Sequence, residues 1–232
     1  MAELNSLSLL SDANLQAYYR LEDINDSKDS HTLTNNNTVA FNAAKYNNGA
    51  DFGASNTNKS LYRATNFTID GGANTFSCWV KLTTEIGSGK YSIFDHRSSA
   101  TTNIITSIDY EYNAGTRRLT FHRVKLSVVD NAINYTITLG TTAYYHLAIT
   151  YNATDIIAYV NAVNVGTIGS TGNGTGAQSA QFSLGSTIDP VQFLSGIIDD
   201  TAIFDRALTA AEILTVFIDQ GGSKRALLGV GL

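Results

Sequence analysis

The feature that most constrains this chain is a period of two. Short runs in which apolar residues alternate with polar ones, rich in β-branched and aromatic types, recur between residues 15 and 204. Clusters of Asn, Gly, Ser, Thr and Asp separate them. Successive side chains of an extended segment point to opposite faces, so each run can bury one face of a strand but cannot present one stripe of a helix. Polar turns of a few residues join antiparallel neighbours. The pattern predicts an all-β fold, two antiparallel sheets packed as a sandwich, with one short C-terminal helix.

Leu15–Asp23 reads as the first strand, followed by a turn-forming stretch from Asn25 to Asn37. Ala40–Phe52 carries a turn at Asn47-Asn48-Gly49. In Asn74–Lys81, alternation sets Phe76, Cys78 and Val80 on one face and Ser77, Trp79 and Lys81 on the other. Tyr91–Asp95, Ile104–Tyr112, Arg118–Val124 and Ile133–Leu139 are further strands, with turns at Gly115 and at Asp130-Asn131. The clearest hairpin runs His146–Tyr151, turns through Asn152–Asp155 and returns as Ile156–Asn161. Gln181–Gly185 and Ile197–Phe204 complete the strands. Thr167–Gly176 is Gly-rich, but it lacks the Lys-Ser/Thr ending and following helix of a phosphate loop and reads as a surface connection. The helix is expected over Thr209–Ile218, where Thr209 and Glu212 have capping-box spacing and Ile213, Leu214, Phe217 and Ile218 form an apolar stripe.

Composition removes several classes of function. A length of 232 residues suits one sandwich domain over 15–219, flanked by an N-terminal segment 1–14 and a tail 220–232. The net charge of -5 opposes nucleic-acid partners. No apolar run approaches the roughly 20 residues that cross a bilayer, and the N-terminus lacks the basic and apolar regions of an export signal, so no membrane insertion is expected. The single cysteine, Cys78, excludes an internal disulfide and a zinc ligand set, and its alternating apolar setting predicts a buried, inert thiol.

Three segments together resemble the laminin-G-like jelly roll of the concanavalin A-like lectin and glucanase superfamily. One is Leu15–Asp23 with Asp26-Ser-Lys-Asp29 and Gly49–Phe52 downstream. Another is Thr75-Phe-Ser-Cys-Trp-Val-Lys81. The third joins Tyr145–Tyr151 and Ala158–Asn161 to Gly196–Ile213. They cover residues 15 to 218 in the expected order. Tyr145 stands where the family usually has Trp before His146, and Ala162 where many members have Gly.

The resemblance implies sites. A structural Ca²⁺ takes six to eight oxygen ligands, and in this superfamily it often sits where the first and last strands end. That nominates Glu22, Asp23 and Asp26 with Asp199 and Asp200, and a carbonyl near Gly49. Alternation lets only one of Asp199 and Asp200 ligate. The same acids can instead cap turns and pair with Arg20 or Arg206. A sugar needs aromatic platforms and hydroxyl-pairing groups, for which Trp79, Asp95, His96, Arg97, Asp109, Tyr110, Tyr112 and His122 are the candidates, against a plainer reading as sheet packing. Related glucanases carry a triplet of acids on one strand; here Asp109 and Glu111 alone have i, i+2 spacing, so no catalytic residue is assigned.

These expectations point to non-catalytic surface recognition of glycan or protein. The leading form is a virion component, a phage capsid decoration or tail protein, reaching the exterior by assembly rather than export. In it Leu7–Leu10 or Ala226–Leu232 would dock onto a viral shell or a second copy. The alternatives are an extracellular carbohydrate-binding or adhesion module and a glucanase-like glycoside hydrolase.

Overall fold

The computed structural model describes residues 11–54, 58–63, 73–97, 104–125, 129–152, 154–169, 181–188 and 191–219. In chain order the strands are β1 (Leu15–Tyr19), β2 (Thr34–Asn36), β3 (Ala40–Ala43), β4 (Asn48–Asp51), β5 (Ser60–Arg63), β6 (Asn74–Leu82), β7 (Gly89–Arg97) and β8 (Ile104–Asn113). They continue as β9 (Thr116–Lys125), β10 (Val129–Thr136), β11 (Tyr145–Tyr151), β12 (Asp155–Val160), β13 (Val163–Gly169), β14 (Gln181–Leu184) and β15 (Gly196–Phe204), before helix α1 (Ala210–Asp219). A front sheet of seven strands runs β10-β9-β8-β7-β14-β5-β2. A back sheet of eight runs β13-β12-β11-β6-β15-β4-β3, with β1 also on β15. Every pairing is antiparallel, so the chain is the two-sheet sandwich that the period of two predicts.

Between the sheets lies one apolar core. Phe76, Cys78 and Val80 of β6 and Leu147 and Ile149 of β11 meet Phe94, Ile108, Tyr110, Leu119, Phe121, Phe182 and Leu184 of the front sheet. Phe76 and Phe94 stack across the gap with centroids 3.6 Å apart, a ring pair that adds about 1 kcal/mol to the burial of its area. Cys78 is a free, buried thiol, its pKa pushed up by burial and then by the charge of Asp199.

The back sheet's outer face is covered as well. Ile213 and Val216 of α1, with Leu208, pack on Ala148, Tyr159, Ala202, Phe204, Tyr18 and Leu15. Helix capping fixes α1 there: the Thr209 N–H donates to Glu212 Oε2 at 2.8 Å, and the Glu212 N–H donates to Thr209 Oγ1 at 3.3 Å. Arg206 donates to both Asp12 and Glu212, so the start of the described fold lies beside its last helix. Strand β15 serves two partners on one edge, β4 at Ile197–Ile198 and β1 at Thr201–Phe204. The switch occurs at a bulge between Asp199 and Ala202, with Asp200 at a φ of 45°.

The structure departs from the sequence reading in several places. Asp130 and Asn131 are not a turn; they lie in β10 opposite Val124 and Arg123. Thr167–Gly169 belongs to β13, and residues 170–176 lie outside the described residues. The turn placed at Asn47-Asn48-Gly49 closes one step earlier, where the Ala44 N–H donates to the Asn47 carbonyl, and Gly49 is inside β4. On α1 the buried positions are Ile213, Val216 and Phe217, with Leu214 and Ile218 only half buried. Strands β2 and β5 were not expected at all, because each is only three or four residues long and offers no sustained alternation. The docking segments Leu7–Leu10 and Ala226–Leu232 lie outside the described residues.

Candidate functional site

The two outer faces differ. On the back sheet, Trp79 points away from the core yet is only 2% exposed. Phe217 of α1 stacks on it at 5.4 Å, His146 lies at 5.2 Å and Lys45 Nζ sits 3.9 Å from its ring centroid. The expected sugar platform is therefore enclosed, because the helix lands on the polar-parity face of β6.

The front sheet's outer face carries a row of polar and charged side chains from three strands. Antiparallel register puts Ser92 of β7 opposite Asp109 of β8, Asp95 opposite Ser107, and His122 and Thr120 of β9 beside those two β8 residues. Lys90 Nζ lies 2.7 Å from Asp109 Oδ2 and His122 Nε2 lies 3.7 Å from it. Two steps along, Glu111 accepts from Arg118 Nε in an ion pair. Asp109 Oδ1 and Ser92 Oγ are buried and meet no hydrogen-bond partner among the described residues, a state that costs about 1–3 kcal/mol per group unless something completes it.

Asp95 has a different task. It is fully buried, and burial pushes its pKa up while Arg97 and the Ile188 N–H pull it down. Arg97 Nε lies 2.7 Å from one oxygen, and the Ile188 N–H donates to Oδ2 at 2.9 Å. The carboxylate thus pins the segment after β14 to the sheet. That segment is stapled twice more: the Gly185 N–H donates to the Ile93 carbonyl at 3.1 Å and the Ser92 N–H to the Gln192 carbonyl at 2.8 Å. Gly185 holds a φ of 76°, and a β-carbon there would overlap the Phe52 ring, so the turn accepts only glycine.

Beside this pinned segment opens a cleft of about 240 Å³, lined by Asn36 of β2, Ser60 and Tyr62 of β5, Gln181, Phe182 and Ser183 of β14, and Ser186, Thr187 and Ile188. Sequence reasoning missed it. Its signal was present, since Ser60-Leu-Tyr62 and Gln181-Phe-Ser183 both alternate polar with apolar, but the two segments are more than a hundred residues apart and meet only through β5–β14 pairing.

Of the candidates for ligand contact, Asp95, Arg97, Asp109 and His122 lie on this front face. Tyr110 and His96 are fully buried; the Tyr110 hydroxyl accepts the Leu139 N–H at 3.0 Å, and the His96 ring lies parallel to Phe94. Tyr112 packs against the core beneath the Arg117 guanidinium. These three side chains pack on the sandwich core instead of lining the front face's polar row.

The calcium candidates fall in two groups, Glu22, Asp23 and Asp26 near the start and Asp199 and Asp200 near the end of the fold, and each has hydrogen-bond donors within the protein. Asp26 Oδ1 accepts the N–H groups of Tyr18 and Lys28, each at 2.9 Å, and Oδ2 lies 3.1 Å from His31 Nδ1. Asp199 accepts the Tyr46 and Asp200 N–H groups, and Asp200 Oδ1 accepts the Tyr18 hydroxyl at 2.6 Å. Asp23 accepts from Asn25, and Glu22 from Asn47. Among the described residues no three His, Cys, Asp or Glu side chains form a group that could hold a metal ion. The five carboxylates do not converge on one centre, and the bulge region buries both Asp199 and Asp200, so the described arrangement supplies none of the six to eight converging oxygens that calcium takes.

Among the described residues no helix is long and apolar enough to cross a membrane. A family profile described as the concanavalin A-like lectin/glucanases superfamily matches residues 47–214. No curated protein matches the chain. Among solved structures, the binding domain of botulinum neurotoxin DC in complex with SialylT is similar at TM-score 0.71 and 16% identity, over 91% of this chain and 52% of that one. The same toxin's binding domain with rat synaptotagmin II gives 0.70 and 15%, over 89% and 52%. Domain 4 of AbnA, a GH43 extracellular arabinanase from Geobacillus stearothermophilus, in complex with arabinotriose, gives 0.64 and 19%, over 88% and 98%. The chain spans about half the length of the toxin binding domains. At these identities the likeness is one of fold.

Proposed function

The chain belongs to the concanavalin A-like lectin/glucanases superfamily, and from that premise we propose that it is a non-catalytic recognition protein that binds glycan on the outer face of its front sheet. The observation that carries this reading is the contrast between the faces. The back is sealed by α1, whereas the front presents Lys90, Asp109, His122, Glu111 and Arg118 beside an open polar cleft. Aligned hydrogen-bonding groups on a rigid sheet are what a polyhydroxylated ligand requires. Solved neighbours that are binding domains, one of them holding arabinotriose, support it.

A glycosidase is the weaker reading. It needs one carboxyl to deliver a proton and a second to act as base or nucleophile. Asp109 and Glu111 share a face, but each is engaged by a cation, Lys90 and Arg118. The same proposal sets the protein on an exterior surface, as a virion component such as a capsid decoration or tail protein, or as an extracellular binding module; the extracellular setting of the arabinanase neighbour supports the outside location.

The test is an oligosaccharide array probed with the full-length chain, followed by reducing-sugar assay of every glycan retained. Binding without sugar release is expected. Retention of no glycan, or release of reducing ends that stops in Asp109→Asn, overturns the reading.

A further inference from the structure

We infer that the cleft between β2, β5, β14 and the 186–188 segment is a preformed pocket for one uncharged sugar ring, and that Asp95 and Arg97 are the positioning pair that keeps it open. This rests on the glycan-binding reading above and adds the ligand's class, the subsite and the residues that shape it.

Chemistry of the walls gives the class. The described lining is neutral: Asn36, Tyr62 and Gln181 present accessible hydrogen-bonding side chains, Ser60, Ser183, Ser186 and Thr187 are buried around them, and half-buried Ile188 supplies apolar surface. Among the described residues no charged side chain lines it. An ionised sugar acid entering here would shed water without meeting a cation, which is strongly unfavourable. A neutral ring instead finds donors and acceptors for its hydroxyls and, in half-buried Tyr62, an aromatic face for its C–H side. The charged row of Lys90, Asp109 and His122 belongs to β7, β8 and β9, beyond the pocket wall.

Size gives the occupancy. At about 240 Å³ the cleft falls below the roughly 300–1,000 Å³ that encloses drug-sized ligands. One ring fits, and the rest of an oligosaccharide would continue outside.

Shape is held from beneath. The Thr187 hydroxyl donates to the Val191 carbonyl at 2.7 Å, Ser186 Oγ donates to the Thr187 carbonyl at 2.9 Å, and Ser183 Oγ lies 3.0 Å from Ser186 Oγ. Asp95 clamps the Ile188 N–H and is itself held by Arg97. Such preorganisation removes the ordering cost that a mobile loop would charge against affinity. Asp95 touches no pocket space, so its effect on binding is through the wall.

The experiment titrates the full-length chain calorimetrically with neutral arabino-, gluco-, galacto- and manno-oligosaccharides and with uronate and sialylated ones. Expected are binding of at least one neutral series, at least a tenfold loss in Gln181→Glu and in Tyr62→Ala, and a smaller loss in Tyr62→Phe, which keeps the ring. Gln181 is exposed, so its variant keeps the fold, which thermal melting checks. Asp95→Asn should weaken the same neutral glycan and raise hydrogen exchange at the Ile188 amide; an unchanged amide with unchanged affinity overturns the positioning role. Binding of acidic glycans alone, or binding lost in Asp109→Asn but intact in Gln181→Glu and Tyr62→Ala, overturns the pocket assignment while leaving glycan recognition by the front face standing. Failure of every glycan overturns both.

Discussion

Asp199 and His146 sit in one buried cluster with Trp79 and Lys45, and they respond to protons in opposite senses. Burial pushes Asp199 up to about 7, against the Tyr46 and Asp200 N–H groups and Lys45. Burial, reinforced by Lys45, pushes His146 down to about 3. An acid whose folded pKa is raised from 3.8 loses stability as pH climbs towards that raised value. A histidine whose folded pKa is depressed from 6.5 loses stability as pH falls towards that depressed value. Between about pH 4 and 6.5 the two slopes oppose each other. Among the described residues His146 has no hydrogen-bond partner on either ring nitrogen, so Phe can replace it. We expect His146→Phe to gain stability as pH falls through that window, by up to about 1.4 kcal/mol per unit, while the unsubstituted chain stays flatter. Urea denaturation across the window measures it. Parity of this kind was only partly legible in the sequence. Tyr110 and Tyr112 share the parity of Ile108 and so belong to the core, while Asp109 and Glu111 share the open face. In β7, bulges at Ser92/Phe94 and His96/Arg97 shift the phase, and no alternation count reveals which residues face out.

At the scale of elements, α1 decides which face is available. Its start was readable: the Thr209–Glu212 box closes as the spacing predicts. Its destination was not, because a stripe of apolar residues says that a helix docks without saying on which sheet. Glu212 also binds Arg206, which holds its carboxyl down at about 2. Glu212→Ala removes a cap and a partly exposed ion pair together, and should cost about 1–2 kcal/mol. Stability held by a depressed carboxylate is present above its unfolded value near 4.5 and fades as pH drops towards 2. Accordingly the difference between Glu212→Ala and the parent, read from urea melts, should shrink in acid. The cleft was illegible for the same reason as the helix site: β2 and β5 are short, and their partners are set by the closing of the whole sheet.

For the molecule as a whole, the sandwich was legible in the sequence, because the alternation that sets it is spread over the whole chain. The resemblance implies a calcium site at the junction of first and last strands; at the bulge in β15, Asp199 and Asp200 are buried against backbone and tyrosine donors. A ligand that binds only the native state raises the melting temperature by mass action. We expect the melting temperature to be the same in calcium and in EDTA; a rise of several degrees in calcium would mean that these carboxylates leave their present partners.

The junction of β1 with β15 has a mechanical consequence. Leu15 pairs with Phe204 at the outer end of the ladder and Tyr19 with Thr201 further in, while Arg206 fastens Asp12 to Glu212 at the same end. Tension drawn between residues 12 and 212 would therefore meet the Arg206 latch first, then unzip the ladder rung by rung. A load entering through the front face and leaving through α1 would instead be shared across both layers and the core between them. The same molecule would be weak when pulled from both ends of its fold and stiff when pulled by what it holds.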